Sequence, residues 1–151
     1  MVAFNYDIST LLSRIAELEE TLAALRADIE PTAIALVKSE VGVFDCNLDK
    51  KTVYVSPLLQ EMLRHKGESM PLDPLTWIQY VAPDDRYRVQ AELREALMYG
   101  PEEFQGIFRM NRKDGNQRLF LFRGVIMRLS RVDGGDAFRV VGTAIDVTTI
   151  L

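Results

Sequence analysis

From residue 8 to residue 30 the chain has neither Gly nor Pro, and its apolar positions fall at Leu11, Ile15, Leu18, Leu22, Leu25 and Ile29. The steps between them run 4, 3, 4, 3, 4, the a/d repeat of a coiled coil. With Leu11, Leu18 and Leu25 at d, Ile15, Leu22 and Ile29 fall at a, and Ile at a with Leu at d favours two parallel strands. Arg14 then stands at g and Glu19 at the following e, an attractive pair across such a dimer. Asp7 or Ser9 is placed to cap the start. Residues 7–30 are therefore expected to form a dimerisation helix, a rod of roughly 30 Å. An amphipathic helix folded back on its own domain would show the same spacing, but the narrow stripe and charged opposite face favour a homodimer seam. Pro31 divides the chain at this point and suits the first turn of a second, short helix through about Ser39.

Beyond Pro31 the period changes. Val41 to Leu48 alternates as a strand, with Val41, Val43 and Asp45 on one face and Gly42, Phe44 and Cys46 on the other. Asp49-Lys50-Lys51 reads as a polar turn into a β-rich run from Thr52 to Ser56, which makes a hairpin. Ser56-Pro57 opens a helix bearing Leu58, Leu59, Met62 and Leu63, and Gly67 is expected to stop it. The stretch from Met70 to Pro83 reads as loop with a helical turn around Trp77. Asp84 is expected to cap a long helix to about Tyr99, with Val89, Leu93, Ala96 and Leu97 buried, and Gly100-Pro101 ends it. Strands follow at Phe104–Asn111, Arg118–Ser130 and Phe138–Val147, joined at Asp114-Gly115 and Asp133-Gly134-Gly135. In the last strand, Val140, Gly142 and Ala144 share one face, and small residues there either line a cavity or admit another backbone closely. The order of elements predicts an α+β domain: a five-stranded antiparallel sheet with helices on one face, preceded by the long amphipathic helix.

Composition narrows the function classes. The 151 residues are 48% hydrophobic and 26% charged, enough to bury a core, and a net charge of −4 gives no electrostatic case for nucleic acid or for direct contact with an anionic membrane. The single Cys46 excludes an intrachain disulfide and fits a reducing cytoplasm. One Cys and one His leave too few soft ligands for a zinc site. Asp84 and Asp85 precede a helix, where capping and dipole pairing explain them better than acid–base work. No Ser/His/acid set forms without His65 at its centre, and Gly134-Gly135 lies in a hairpin rather than a phosphate loop. No enzyme is expected.

Five segments then carry a resemblance: Gly42-Val43-Phe44-Asp45; Tyr54-Val55-Ser56-Pro57; Trp77 with Val81, Pro83, Asp84, Asp85 and Arg86; Arg112-Lys113-Asp114-Gly115 with Arg118; and Gly142–Ile145 with Asp146-Val147-Thr148. In this order they resemble a PAS domain of the sensory-box type with its PAC motif, close to the PAS fold-3 subgroup, over residues 32–148. The chain departs from the family's pattern at Ala82, where His is frequent, and at Leu119 and Phe120, where an aromatic often directly follows the Arg.

The resemblance implies a sensory module of a bacterial signal-transduction protein, with the output domain lying outside this chain. It implies a pocket lined by Phe44, Cys46, Phe108, Met110, Phe120, Phe122, Ile126 and Ala144. That set is nearly all apolar, so two readings stand: a small apolar ligand or partner, or a filled core serving dimerisation or protein interaction. Haem-binding relatives supply an axial His from the long helix, and Asp84–Tyr99 has none; His65, beside Arg64 and Lys66, reads as a solvated surface residue. Light-sensing flavin relatives carry Asn-Cys-Arg with Asn and Gln on the sheet, whereas here Asn47 follows Cys46 and the sheet positions hold Met110, Phe120 and Ala144. Haem and flavin are both argued against, and Cys46 reads as an inert core thiol. The resemblance also makes Asp146 and Thr148 the joint from which a signal leaves, with residues 149–151 the start of an output linker or the chain end. In relatives that linker leads to histidine kinases, diguanylate cyclases or phosphodiesterases, so the expectation is a chain cut at its own joint.

Overall fold

The structure, a computed structural model, describes residues 2–65, 73–74, 76–100, 102–130 and 136–150, with side chains from residue 7 onward except 129, 130, 136 and 137. The expected helix stop at Gly67, residues 70–72 and 75 of the Met70–Pro83 loop, Pro101 and the Asp133-Gly134-Gly135 turn lie outside the described residues. Contacts separate two compact units, residues 1–39 and 40–151.

The first unit is one helix, α1 (Val2–Lys38), of 37 residues. It does not break at Pro31, which lies inside it. A proline in a helix interior loses one backbone bond and crowds the carbonyl four residues back, at a cost of about 3 kcal/mol. Strong helix formers on both sides, Ala23, Ala24, Ala27, Ala33 and Ala35, offset that cost. The heptad frame also carries through: Pro31 falls at an outward c position and Leu36 at the next a. Among the described residues no helix is long and apolar enough to cross a membrane.

The second unit begins with a hairpin, β1 (Val41–Asn47) and β2 (Thr52–Val55). Asn47 shapes its turn: Oδ1 accepts from the backbone N–H groups of Asp49 (3.1 Å) and Lys50 (2.9 Å). Helix α2 (Pro57–Met62) starts as expected, with Pro57 in the first turn and Ser56 as N-cap. The Ser56 hydroxyl accepts from Leu59 N (3.3 Å) and from Val43 N (3.0 Å), which ties the helix start to β1. The helix ends at Met62, ahead of Gly67. Its C-terminus is held from elsewhere, because Lys113 N donates to the Leu63 carbonyl (3.1 Å) and Arg112 Nε to the Met62 carbonyl (3.1 Å).

A 3-10 turn (Trp77–Tyr80) leads into α3 (Pro83–Tyr99). Its N-cap is Ala82 rather than Asp84. The residue before a proline is driven out of the helical region, so the helix boundary falls between Ala82 and Pro83. Asp84 and Asp85 then sit in the first turn, where their charge suits the helix dipole. Asp85 also reaches the sheet: its carboxylate accepts from Arg109 N (2.8 Å), Nε (3.1 Å) and Nη2 (3.0 Å).

Three long strands complete the sheet: β3 (Glu103–Asn111), β4 (Gln117–Ser130) and β5 (Asp136–Asp146). The Asp114-Gly115 turn joins β3 to β4, with Gly115 at φ +88°, a conformation that favours glycine. The sheet is five-stranded and antiparallel in the order β2-β1-β5-β4-β3. Its inner face packs under the helices around Val81, Val89, Phe108 and Phe120, each at most 2% exposed.

Candidate functional site

The inner face is not filled throughout. A cavity of about 120 Å³ lies between the inner face of the sheet, all five strands contributing, and α2, α3 and the Trp77 turn. Five of the eight residues expected at a pocket line it: Phe44, Cys46, Phe108, Met110 and Phe122. The other three, Phe120, Ile126 and Ala144, are buried but lie outside its lining. Alternation puts a side chain on the inner face, whereas the cavity opens under only part of that face. Ala144 pairs with Gly42, and a Cβ added to Gly42 would sit 2.8 Å from Leu59 Cβ. There α2 rests directly on the sheet.

The helices and turn supply the opposite wall: Leu59 of α2 with its C-cap Leu63, Leu93 and Leu97 of α3, with Trp77 and Tyr80. Phe104 joins from β3. Leucine spacing marked the helical residues as buried but did not show that they border a void, and Phe104 could have been found from its shared parity with Phe108. The aromatic rings are ordered against one another. Phe108 and Phe122 stack with centroids 4.4 Å apart and planes 1° from parallel, while Phe44 meets Phe122 at 6.0 Å and Trp77 meets Phe108 at 6.4 Å, both tilted.

Gly142 has another role than lining. An added Cβ would collide with the Arg123 carbonyl and come 2.7 Å from Gly124 Cα. Gly124 and Gly142 are register partners, so this glycine permits close approach of β4 and β5. Its neighbour Val140 does line the cavity.

The cavity carries almost no polarity. Burial pushes the Cys46 thiol up to about 11, with smaller contributions from the carboxylates of Asp45 and Asp73. The thiol stays protonated at neutral pH, which leaves it a poor nucleophile. Next to it on the chain, Asp45 is paired with Arg139, whose Nε donates to Oδ1 at 2.9 Å. That hydrogen bond holds the Asp45 carboxyl below its usual value against the opposing effect of burial. His65 is partly buried rather than solvated, with its ring edge-on to Tyr80 at 5.5 Å.

At the end of β5 the chain is stitched to the start of β4. Arg118 Nε donates to Asp146 Oδ2 at 2.8 Å, and Arg112 Nη2 lies 3.7 Å from the same oxygen. Thr148 donates from its N–H (3.0 Å) and hydroxyl (2.6 Å) to Asp146 Oδ1, and its hydroxyl oxygen accepts from Leu119 N (2.9 Å). Burial alone would raise the Asp146 carboxyl, but the Thr148 and Arg118 hydrogen bonds outweigh it and hold the group below its usual value.

This architecture has known counterparts. The chain is similar to a sensory box histidine kinase/response regulator from Burkholderia thailandensis, at 25% identity and TM-score 0.62, over 79% of this chain and 86% of that one. It shares its fold with the N-terminal domain of a diguanylate cyclase with PAS/PAC sensor from Marinobacter aquaeolei, at 15% identity and TM-score 0.58, over 73% and 97%. The PAS domain of a protein from Colwellia psychrerythraea aligns with TM-score 0.55 at 15% identity, over 80% and 98%. No curated protein sequence matches the chain. The family model described as PAS fold matches residues 52–144, from β2 through the buried Ala144 of β5. By that match, and in keeping with its sheet order and helical cover, the chain belongs to the PAS family.

Proposed function

We propose that this chain is the sensory module of a signal-transduction protein, and that its cavity takes up a small apolar molecule about the size of one aromatic ring. The observation that carries this reading is the cavity itself, about 120 Å³ and walled by Phe44, Phe108, Phe122, Leu59, Leu63 and Trp77. An apolar cavity of about 150 Å³ stays dry and admits benzene or xenon, and a drug-sized ligand needs roughly 300 Å³ or more. A polar ligand would find few partners there, and each unpaired buried polar group costs about 1–3 kcal/mol. PAS domains are sensory and typically non-catalytic, and the similar chain from Burkholderia thailandensis is itself a sensory box histidine kinase.

We assign the output to a domain outside this chain, reached from Asp146–Thr148, and dimerisation to α1. Leu11, Ile15, Leu18, Leu22, Leu25 and Ile29 are each between 47% and 62% exposed along one heptad stripe, which suits a seam with a second copy.

The ligand reading is tested by thermal unfolding with benzene, toluene and indole, alongside native mass spectrometry of the purified protein. Saturation at a hundred times the dissociation constant adds about 2.7 kcal/mol, a rise of several degrees for a chain of this length. Cys46→Phe, which fills the cavity, should abolish that rise. If no probe shifts the melting temperature and only the apoprotein mass appears, the domain is an interaction scaffold instead.

A further inference from the structure

We propose that Arg112, in the turn between β3 and β4, couples the cavity wall to the exit at Asp146–Thr148. The natural input for this coupling rests on the ligand reading above, while the coupling itself can be measured without any ligand.

The last carbonyls of a helix need partners from outside the helix. In α2 the Gln60 and Glu61 carbonyls accept from His65 N (2.8 Å) and Arg64 N (2.9 Å), whereas the next two find partners in the β3–β4 turn: Arg112 Nε donates to the Met62 carbonyl at 3.1 Å, and Lys113 N to the Leu63 carbonyl at 3.1 Å. The same guanidinium extends the other way, with Nη2 at 3.7 Å from Asp146 Oδ2. Both side chains are largely withdrawn from water, 14% exposed for Arg112 and 18% for Asp146. Leu59 of α2 and its C-cap Leu63 line the cavity. Whatever enlarges the cavity contents therefore presses on the helix whose end Arg112 holds.

A guanidinium is a planar fork that can serve two acceptors in different directions at once, whereas an ammonium is a single point charge. Two arrangements follow. With α2 seated, Arg112 spans Met62 and Asp146. With α2 displaced, Arg112 follows the Met62 carbonyl and leaves Asp146 to Arg118 and Thr148, which hold it directly at 2.8 and 2.6 Å. The exit remains folded in both, but its charge balance and its grip on Leu119 differ.

Two amides report on that grip: Thr148 N, which donates to Asp146, and Leu119 N, which donates to the Thr148 hydroxyl. Their hydrogen exchange is followed in the whole chain, with and without toluene, and in the cavity-filling variant Cys46→Leu, or Val53→Leu should the first not fold. Exchange at both amides should change about fivefold, the low end of measured coupling factors. In an Arg112→Lys background the change should fall below about twofold, while Cys46→Leu or toluene still raises the melting temperature. A merely structural Arg112 would lower stability and leave the response intact, and that result overturns the proposal. So does an unchanged pair of amides in the parent chain when the cavity is filled. If Cys46→Leu moves the amides but toluene does not bind, the ligand reading fails and the coupling stands.

Discussion

The helix α1 and the sheet domain are both built on regular apolar spacing, and they differ in where that spacing ends up. In α1 the stripe from Leu11 to Ile29 remains about half exposed, whereas in the domain Val81, Val89, Phe108, Phe120 and Ile126 are at most 2% exposed. The difference is one of layers. A sheet covered by helices closes its own apolar interior. A single helix has no second layer within its unit and keeps its stripe in water until another element covers it. Domain stability is therefore expected to respond to packing changes, and α1 to changes in association.

The largest effect that could break this contrast lies in α1. Replacing both Leu18 and Leu22 by Glu puts charge on adjacent d and a positions of the proposed seam, and light scattering should then give half the mass of the parent chain. An unchanged mass would move the interface away from the helix, and the exposed stripe would need another explanation.

In the domain the sharpest test of close packing is Gly142→Ala. Its Cβ meets backbone rather than a side chain that can turn away, so β4 and β5 must separate locally. A loss of about 1–3 kcal/mol is expected from urea unfolding, in the range for overpacked sites. A neutral result would mean the strands are not held at this spacing in solution.

The smallest expected effect is electrostatic. The Arg109 hydrogen bond, against the opposing effect of burial, holds the Asp85 carboxyl below its usual value near 3.8. A depressed folded value means the carboxylate stabilises the fold above the unfolded value and loses that contribution as pH falls through the folded one. Asp85→Asn should thus cost on the order of 1 kcal/mol at pH 7. The gap in melting temperature from the parent should narrow below about pH 4. A gap that stays constant to pH 2 would remove the charge from the account.

Much of the fold was legible because its signals are local. Ser56-Pro57 marked a helix start, Asp114-Gly115 marked a turn, and alternation set the two faces of the first and last strands. Two local rules misplaced a boundary. Pro31 read as a break, but strong helix formers on both sides carry α1 through it. Asp84 read as a cap, but Pro83 forces the preceding Ala82 into that position.

Less of the site could be read in this way. The resemblance put Phe120, Ile126 and Ala144 at the pocket, and all three are buried, yet it had no means of separating a residue against solid packing from one beside a void. The link from Asp85 to Arg109 spans 24 residues and that from Arg112 to Met62 spans 50. No spacing rule reaches across such distances.

The sequence by itself determined the kind and order of the five strands and of the helices between them, since these follow from backbone preference and side-chain period within a few residues. Only the tertiary structure decided that the aromatic interior retains a cavity, that Gly142 makes room for a neighbouring strand, and that Arg112 stands between α2 and Asp146. Each of those depends on the separation of elements far apart in the chain, and that separation is set by how whole layers pack.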